Sequence, residues 1–137
     1  MTLPPDHIRQ IENSGCQTMV GFCTEMDQRD GSCRVTLDLK PQHLNPIGVL
    51  HGGIVAMLLD VVCGNTASAY FDRAEHPFVV TVSLNTSYVA AARAGRVTAT
   101  AQAKGGGRSI AYVNGELHGE DGLLLATATA IFKRIRS

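Results

Sequence analysis

The sequence predicts an α+β domain in which a curved, largely antiparallel sheet wraps around one long buried helix. Six runs of residues have the character of strands, and most of them alternate between apolar and polar side chains. The segment 52–71 is instead apolar on nearly every side, which is typical of a helix surrounded by other elements. Because helices do not separate most of the strands, neighbouring strands are expected to pair antiparallel.

The first elements are a short helix and a pair of strands. Residues 6–13 are predicted to be helical, because prolines precede the segment and a glycine follows it closely. Strands are expected at 16–28 and 32–40, and the second run alternates strictly between apolar and polar residues. The Asp30-Gly31 dipeptide between them is a hairpin signal.

A loop, the long helix and four further strands complete the chain. Residues 41–50 contain Pro46 and Gly48 and are expected to form a loop before the helix at 52–71. A second hairpin dipeptide, Asp121-Gly122, falls between the last two strands. The four strands are predicted at 78–89, 96–104, 108–119 and 123–134.

Length and composition favour one domain over residues 1–137, since domains most often have about 100–150 residues. Charged residues make up 18% of the chain, below the usual quarter or so, which suggests that other copies of the chain cover part of its surface. The formal net charge is zero, which counts against a general nucleic-acid-binding protein.

The sequence favours a cytoplasmic protein without a membrane span or a metal site. The first 14 residues have no apolar core of the kind found in signal peptides. The longest apolar run is interrupted by Asp60 and is shorter than the roughly 20 residues that a spanning helix needs. The four cysteines have no metal-ligand spacing and are expected to remain reduced thiols.

Asp60 is the first candidate functional residue. It is the only formally charged residue in the 31-residue segment 41–71, and its neighbours in the predicted helix are apolar. A carboxylate kept in such surroundings is costly, which makes it a candidate for catalysis. The alternative is a structural Asp that is hydrogen-bonded to Thr66, to backbone groups or to a partner chain.

The His51-Gly52-Gly53 segment precedes this helix. Backbone N–H groups at a helix start point outward and can stabilise a developing oxyanion, and glycine lets a ligand approach closely. Alternatively, the segment only forms the turn into the helix. His51 is either a base or, as we favour, a residue that hydrogen-bonds locally and shapes this turn.

The spacing of Gly52 and Asp60 has a geometric consequence. Eight residues of helix separate them by about 12 Å along the axis, farther than an Asp side chain reaches. If both groups act on one reaction centre, they must come from different chains. Two antiparallel helices related by a two-fold axis would bring them together, which predicts a dimer.

Three segments of the sequence resemble the hotdog-fold acyl-CoA thioesterases, and most closely the phenylacetate-degradation (PaaI-type) group. They are residues 45–53 followed by Asp60, the run 81–88, and the turn Gly107-Arg108-Ser109. The resemblance covers about residues 20–134. It implies a hotdog fold, in which an antiparallel sheet wraps around a central helix, as the element order also suggests.

The resemblance also implies site residues. Asp60 matches the catalytic carboxylate, which acts as a base toward water or as a nucleophile. Gly52 matches the backbone donor to the thioester carbonyl, with His51 beside it. Asn45 matches a polar residue that orients substrate or water, and Thr81 matches a hydroxyl residue near the water. No cofactor is implied, since coenzyme A is part of the substrate.

A positively charged segment is a candidate site for the phosphates of coenzyme A. Residues 76–115 contain no Asp or Glu but four Lys or Arg residues. Three glycines lie between Lys104 and Arg108, and backbone N–H groups flanked by cations suit phosphate. The alternative is a flexible hairpin with solvated charges. The candidate residues are Lys104, Gly106, Gly107, Arg108 and Ser109.

The sequence therefore predicts an acyl-CoA thioesterase that forms at least a homodimer and, by further expectation, a dimer of dimers. Two alternatives remain: a hotdog hydratase or dehydratase acting on enoyl thioesters, and a non-catalytic acyl-CoA-binding protein. Neither the length nor the aromatic character of the acyl group can be read from the sequence.

Overall fold

The computed structural model describes residues 14–27 and 29–135. Helix α1 spans Gly15–Val20, helix α2 spans Gly52–Phe71, and a one-turn 3-10 helix spans Pro41–His43. The helix predicted at residues 6–13 lies outside the described residues. The strands are β1 (Cys23–Met26), β2 (Cys33–Asp38), β3 (Val79–Tyr88), β4 (Arg96–Gly106), β5 (Ile110–His118) and β6 (Leu124–Arg134).

Within the described ranges the strands form one six-stranded sheet in the order β1-β2-β4-β5-β6-β3. Every neighbouring pair is antiparallel. Helix α2 packs across the sheet, where Leu58, Leu59 and Val62 are fully buried. The predicted fold class, a curved antiparallel sheet around one long helix, is confirmed.

The prediction of a continuous strand at 16–28 is wrong in its first part. Residues 15–20 form helix α1, and only Cys23–Met26 are in a strand. The Ser14 hydroxyl caps the helix by accepting a hydrogen bond from the Gln17 N–H, and Gly21 ends it in a left-handed conformation. A capped single turn leaves no periodic pattern, which is why it could not be distinguished from a strand.

Close packing between helix and sheet depends on Gly115 of β5. A Cβ at this position would lie 2.7 Å from the sulfur of Cys63 in α2, so a larger residue would push the helix away. The opposite flank of the helix is less covered, and Ile54, Met57 and Val61 are only half-buried. One side of α2 therefore lies against the sheet and the other remains accessible.

Helix α2 is, by length and composition, apolar enough to cross a membrane. However, 56% of its most apolar window is buried inside the protein. The core helix of a sheet-wrapped fold has the same composition, so the packing accounts for its apolar character.

Strand β3 is more exposed than its alternating sequence predicts. The side chains of Val80 and Val82 are 45% and 58% exposed, and Tyr88 at the end of the strand is 58% exposed. The strand lies at the edge of the sheet, and a register shift interrupts its pairing with β6 between Thr81 and Ser83. The apolar face expected to be buried is thus uncovered in a single chain.

We predict that Gly106→Ala lowers the free energy of unfolding by about 2 kcal/mol. Gly106 has a φ of +152°, and a Cβ there would collide with the carbonyl oxygen of Ile110. Gly107→Ala is the matched control, because no atom lies within 4 Å of the added carbon. It should cost less than about 0.5 kcal/mol. Urea denaturation measures both variants, and equal losses would contradict the packing described for this turn.

Candidate active site

Asp60 and Thr81 are in direct contact. The Thr81 hydroxyl donates a 2.7 Å hydrogen bond to Oδ1 of Asp60, from strand β3 to helix α2. Thr66, considered as a structural partner of Asp60, instead donates to the carbonyl oxygen of Val62. Among the described residues, the second carboxylate oxygen of Asp60 has no hydrogen-bond partner. The contact thus leaves one carboxylate oxygen available for chemistry.

A cavity of about 300 Å³ adjoins this pair. Both Asp60 and Thr81 line it, and Asn65 and Ser68 of α2 also contribute polar groups. Most of the remaining wall is apolar, as expected for a small-molecule site with a few oriented polar groups. The apolar wall includes Phe22, Val61, Phe78, Val79 and Phe132.

The start of α2 leaves one backbone donor without a partner. The His51 side chain caps the helix, with Nδ1 accepting a 2.8 Å hydrogen bond from the Gly53 N–H. The His51 carbonyl accepts from the N–H of Ile54 at 3.0 Å. Of these first helical donors, the Gly52 N–H has no partner within the described residues. This geometry fits the turn-shaping interpretation of His51 and leaves the Gly52 N–H free to bind an oxyanion.

Tyr88 holds the residue that carries this donor. Its hydroxyl donates a 2.8 Å hydrogen bond to the Gly52 carbonyl oxygen, and its ring lies 3.4 Å from the position of a Cβ on Gly52. The last residue of β3 therefore fixes the first peptide unit of α2. Sequence reasoning missed this role, because the alternation of the strand placed Tyr88 with its apolar residues.

Asn45 organises the loop before the helix. Its side-chain oxygen accepts hydrogen bonds from the backbone N–H groups of Ile47 (3.1 Å) and Val49 (3.2 Å). The carbonyl oxygen of Ile47 also accepts from Arg93 at 3.2 Å. Asn45 therefore shapes the loop that leads to His51, while its role in orienting substrate stays a prediction.

The structure does not bring Gly52 to Asp60 within one chain. Both residues lie in the continuous helix α2, which keeps them about 12 Å apart along its axis. Tyr88 and Thr81, their respective contacts on β3, lie seven positions apart in the strand. Within a single chain the two candidate groups therefore lie apart, each with its own contact on β3.

Cys63 is excluded as a nucleophile by its surroundings. Burial and, secondarily, the Asp60 carboxylate raise the pKa of this thiol to about 12. At neutral pH the side chain therefore stays a protonated thiol, which is a poor nucleophile. Within the described residues no group of three or more His, Cys, Asp and Glu side chains is arranged to hold a metal ion.

The glycine-rich segment forms the turn between β4 and β5. The Gly107 N–H donates to the Ile110 carbonyl oxygen at 2.8 Å, and the Ser109 carbonyl accepts from the Arg134 N–H. The Gly107 N–H is therefore engaged within the turn, and the Ser109 carbonyl pairs with the end of β6. Gly106 is required for the steric reason given above, so a bound ligand is not needed to explain this one of the three glycines.

Two of the four cations in the positively charged segment 76–115 are engaged elsewhere. Arg96 forms a two-point ion pair with Asp38, and this guanidinium lowers the pKa of that carboxyl group. Arg93 donates to the loop near Asn45. Within the described ranges, the exposed Lys104 donates its one side-chain hydrogen bond to the Gln102 side-chain oxygen at 3.3 Å, and the exposed Arg108 has no ion pair.

The family to which the chain belongs follows from a comparison with known proteins. The family model of the thioesterase superfamily matches residues 47–126, which include the Asn45 loop from Ile47 onward, all of α2 and Thr81. The chain belongs to the thioesterase superfamily.

Curated relatives of this chain match it over part of their length. The medium/long-chain acyl-CoA thioesterase YigI of Salmonella typhimurium is 35% identical over 95 residues, and YigI of Escherichia coli K12 is 34% identical over 95 residues. Each match covers 61% of this chain and 61% of the relative. The chain thus spans less than two thirds of these relatives.

Solved structures support both the superfamily and the PaaI-type resemblance. A phenylacetic acid degradation-related protein of Ralstonia eutropha is 30% identical, with a TM-score of 0.76 over 88% of this chain and 90% of that one. BH2602 of Bacillus halodurans, solved with CoA, is 25% identical, with a TM-score of 0.79 over 96% and 87% of the two chains. The hotdog fold and the resemblance stated from the sequence are therefore confirmed.

Proposed function

We propose that this chain is an acyl-CoA thioesterase, which hydrolyses an acyl-CoA to a free acid and coenzyme A. The observation that carries the proposal is the Asp60 carboxylate, which Thr81 holds beside an apolar-walled cavity. Membership of the thioesterase superfamily and the names of the YigI relatives support it. The CoA in the Bacillus halodurans structure supports coenzyme A as the leaving group.

The proposed reaction starts with Asp60. Acting as a base, its free carboxylate oxygen takes a proton from water, and the resulting hydroxide oxygen bonds to the thioester carbon. The carbonyl oxygen becomes an oxyanion, which the Gly52 N–H stabilises. The carbon–sulfur bond then breaks, and Asp60 returns the proton to the coenzyme A sulfur. Acting as a nucleophile, Asp60 would instead bond to the thioester carbon and displace coenzyme A as its thiolate. Water would then cleave the resulting mixed anhydride to the free acid, regenerating the Asp60 carboxylate and supplying the proton that the thiolate takes up.

Two copies of the chain are proposed to form each site. The 12 Å separation within α2 requires a second copy, so that Gly52 of one helix faces Asp60 of the other. The uncovered edge strand β3, with exposed Val80 and Val82, offers unpaired backbone groups and apolar surface for this contact. A dimer of such dimers and a cytoplasmic location stay predictions.

Lys104 and Arg108 are proposed to bind the phosphates of coenzyme A. Ile110, which follows Arg108 closely, pairs with Lys133 of β6, and Lys133 pairs with Val80 of β3, the neighbour of Thr81. Ile110 and Val80 are therefore two strand spacings apart, about 10 Å, a distance that the extended arm of coenzyme A spans. The phosphates would be bound mainly by the two cations, because the Gly107 N–H is already engaged.

The hydrogen bond between Thr81 and Asp60 argues against the hydratase alternative. That reaction is expected to need an Asp and a His acting as a pair. Here the hydrogen bond to Asp60 comes from Thr81, while Nδ1 of His51 is engaged by the helix cap. This arrangement favours hydrolysis over hydration.

We expect Asp60→Asn to fold and to lose turnover by about a hundredfold or more, the range for removing a general base. Release of free thiol from a panel of acyl-CoAs measures this loss. Asp38→Asn is the control, since it removes an exposed carboxylate that is paired with Arg96, and it should leave turnover unchanged. An Asp60→Asn turnover within about threefold of wild type would remove Asp60 from the mechanism.

The double variant Lys104→Ala/Arg108→Ala should raise KM for acyl-CoA and leave kcat nearly unchanged, because it removes binding common to ground and transition states. Acyl-pantetheine lacks the nucleotide phosphates and should be unaffected. The variant Arg34→Ala/Lys40→Ala removes the same charge from exposed positions outside the turn and serves as control. Equal losses on acyl-CoA and acyl-pantetheine would refute the phosphate assignment.

A further inference from the structure

Gly52 needs a restraint from outside its own helix if it is to act as an oxyanion donor. It is the first residue of α2, and helix ends fray. Glycine also has no side chain to restrict its backbone angles. A donor stabilises a transition state only if it is already aimed at the position where the charge develops. The proposed reaction therefore requires a group that holds Gly52 in place.

Tyr88 supplies this restraint in two ways. Its hydroxyl donates a 2.8 Å hydrogen bond to the Gly52 carbonyl oxygen, which holds the peptide group that follows the donor. Its ring atoms Cε1 and Cζ lie 3.4 and 3.5 Å from the position that a Cβ on Gly52 would take. The ring thus packs on the side where glycine lacks a side chain. Together the two contacts restrict a residue that is otherwise free to change its backbone angles.

A β-bulge in β3 brings Tyr88 to the face of the sheet that α2 covers. Thr81 and Tyr88 lie seven positions apart, and in a regular strand an odd separation places side chains on opposite faces. The register shift directly after Thr81 inserts Val82 as an extra residue. Thr81 pairs with Phe132 of β6. Tyr88 pairs with Ala126, which lies six positions before Phe132 and is buried like it. Both side chains therefore contact α2.

We propose that Tyr88 is a positioning residue for thioester hydrolysis, holding Gly52 so that its N–H is aimed at the thioester oxygen. This inference rests on the proposed thioesterase function and adds to it a residue that acts through another. The Tyr88 hydroxyl is engaged by the Gly52 carbonyl and does not touch the reacting atoms. Because of the bulge, strand β3 positions the carboxylate through Thr81 and the oxyanion donor through Tyr88.

The role has a specific kinetic consequence. The oxyanion exists in the transition state and not in the bound thioester, so a donor that is less well aimed weakens only transition-state binding. Such a change lowers kcat and kcat/KM equally and leaves KM unchanged. A residue that bound the substrate directly would change KM instead.

The variant Tyr88→Phe keeps the ring and removes the hydrogen bond. We expect it to lower kcat by about tenfold, with KM within about twofold of wild type, as measured by free-thiol release over a range of acyl-CoA concentrations. Tyr88→Leu also removes the ring and should lose more. Tyr70→Phe is the matched control, because it removes an exposed hydroxyl near the opposite end of α2 and should leave both constants unchanged. Melting temperature and elution volume show whether each variant is folded and keeps the wild-type assembly.

A second background tests whether Tyr88 acts through Gly52. Gly52→Ala keeps the N–H, and its Cβ would meet the Tyr88 ring at 3.4 Å, an ordinary contact. Alanine favours helical backbone angles more strongly than glycine and so restrains the same residue by itself. Adding Tyr88→Phe to Gly52→Ala should therefore reduce kcat by less than about threefold.

The outcomes separate this proposal from the function on which it rests. A Tyr88→Phe kcat reduced by less than about threefold would overturn the positioning role, as would a rise in KM at unchanged kcat. An equal loss in the Gly52 and Gly52→Ala backgrounds would show that the hydroxyl does not act through Gly52 and would also overturn it. A wild type that hydrolyses no acyl-CoA would overturn the proposed function itself.

Discussion

The rigid separation of two groups on helix α2 is the constraint on which the proposed site depends. The free N–H of Gly52 and the carboxylate of Asp60 lie in one unbroken helix, about 12 Å apart along its axis. An oxyanion donor and the group that activates water must both reach one carbonyl group. Since a helix cannot fold back on itself, the proposed site requires a second helix to supply the missing group. The exposed edge strand β3 gives a second copy a surface on which to bind.

The same helix divides the domain into a packed side and a reactive side. Leu58, Leu59 and Val62 are fully buried on the sheet side, where Gly115 allows close approach. Asp60 and Asn65 lie on the side that borders the cavity. Thr81 satisfies part of the carboxylate, whereas the Asn65 amide is unpaired within the described residues. Both side chains are polar groups that are costly to bury in an apolar helix, and both border the cavity of the proposed site.

The sequence predicted the elements whose pattern arises from burial. The bounds of α2 matched at Gly52 and Phe71, because the apolar run and its glycine start coincide with the helix in the core. Helix α1 was missed because it depends on one serine cap and one glycine at its end. An analysis of hydrophobic periodicity does not detect either of these. The exposure of β3 was not predicted either. Apolar and polar residues alternate along a strand in the same way whether this chain or another copy covers the apolar face.

The charged residue of the candidate site was predictable from the sequence, whereas its neutral polar residues were harder to predict. Asp60 stood out as the sole charge of its segment, but Asn65 carries no charge and was passed over in the same apolar helix. Asking which polar side chains of any kind interrupt the helix would have found it. The contact of Tyr88 with Gly52 joins residues 36 positions apart, and no local pattern encodes such a contact.

Subunit mixing is the most direct measurement of the shared site. Asp60→Ala removes the carboxylate, and Gly52→Pro removes the N–H donor. Proline is compatible with the first helical position, and His51 before it already has extended backbone angles. Each homodimer should be inactive, while co-refolding equal amounts should restore about a quarter of wild-type activity. This fraction follows because half of randomly paired dimers are mixed and each has one intact site of two. With both variants shown to fold and to exchange subunits, no recovery at any mixing ratio would contradict a site built from two chains.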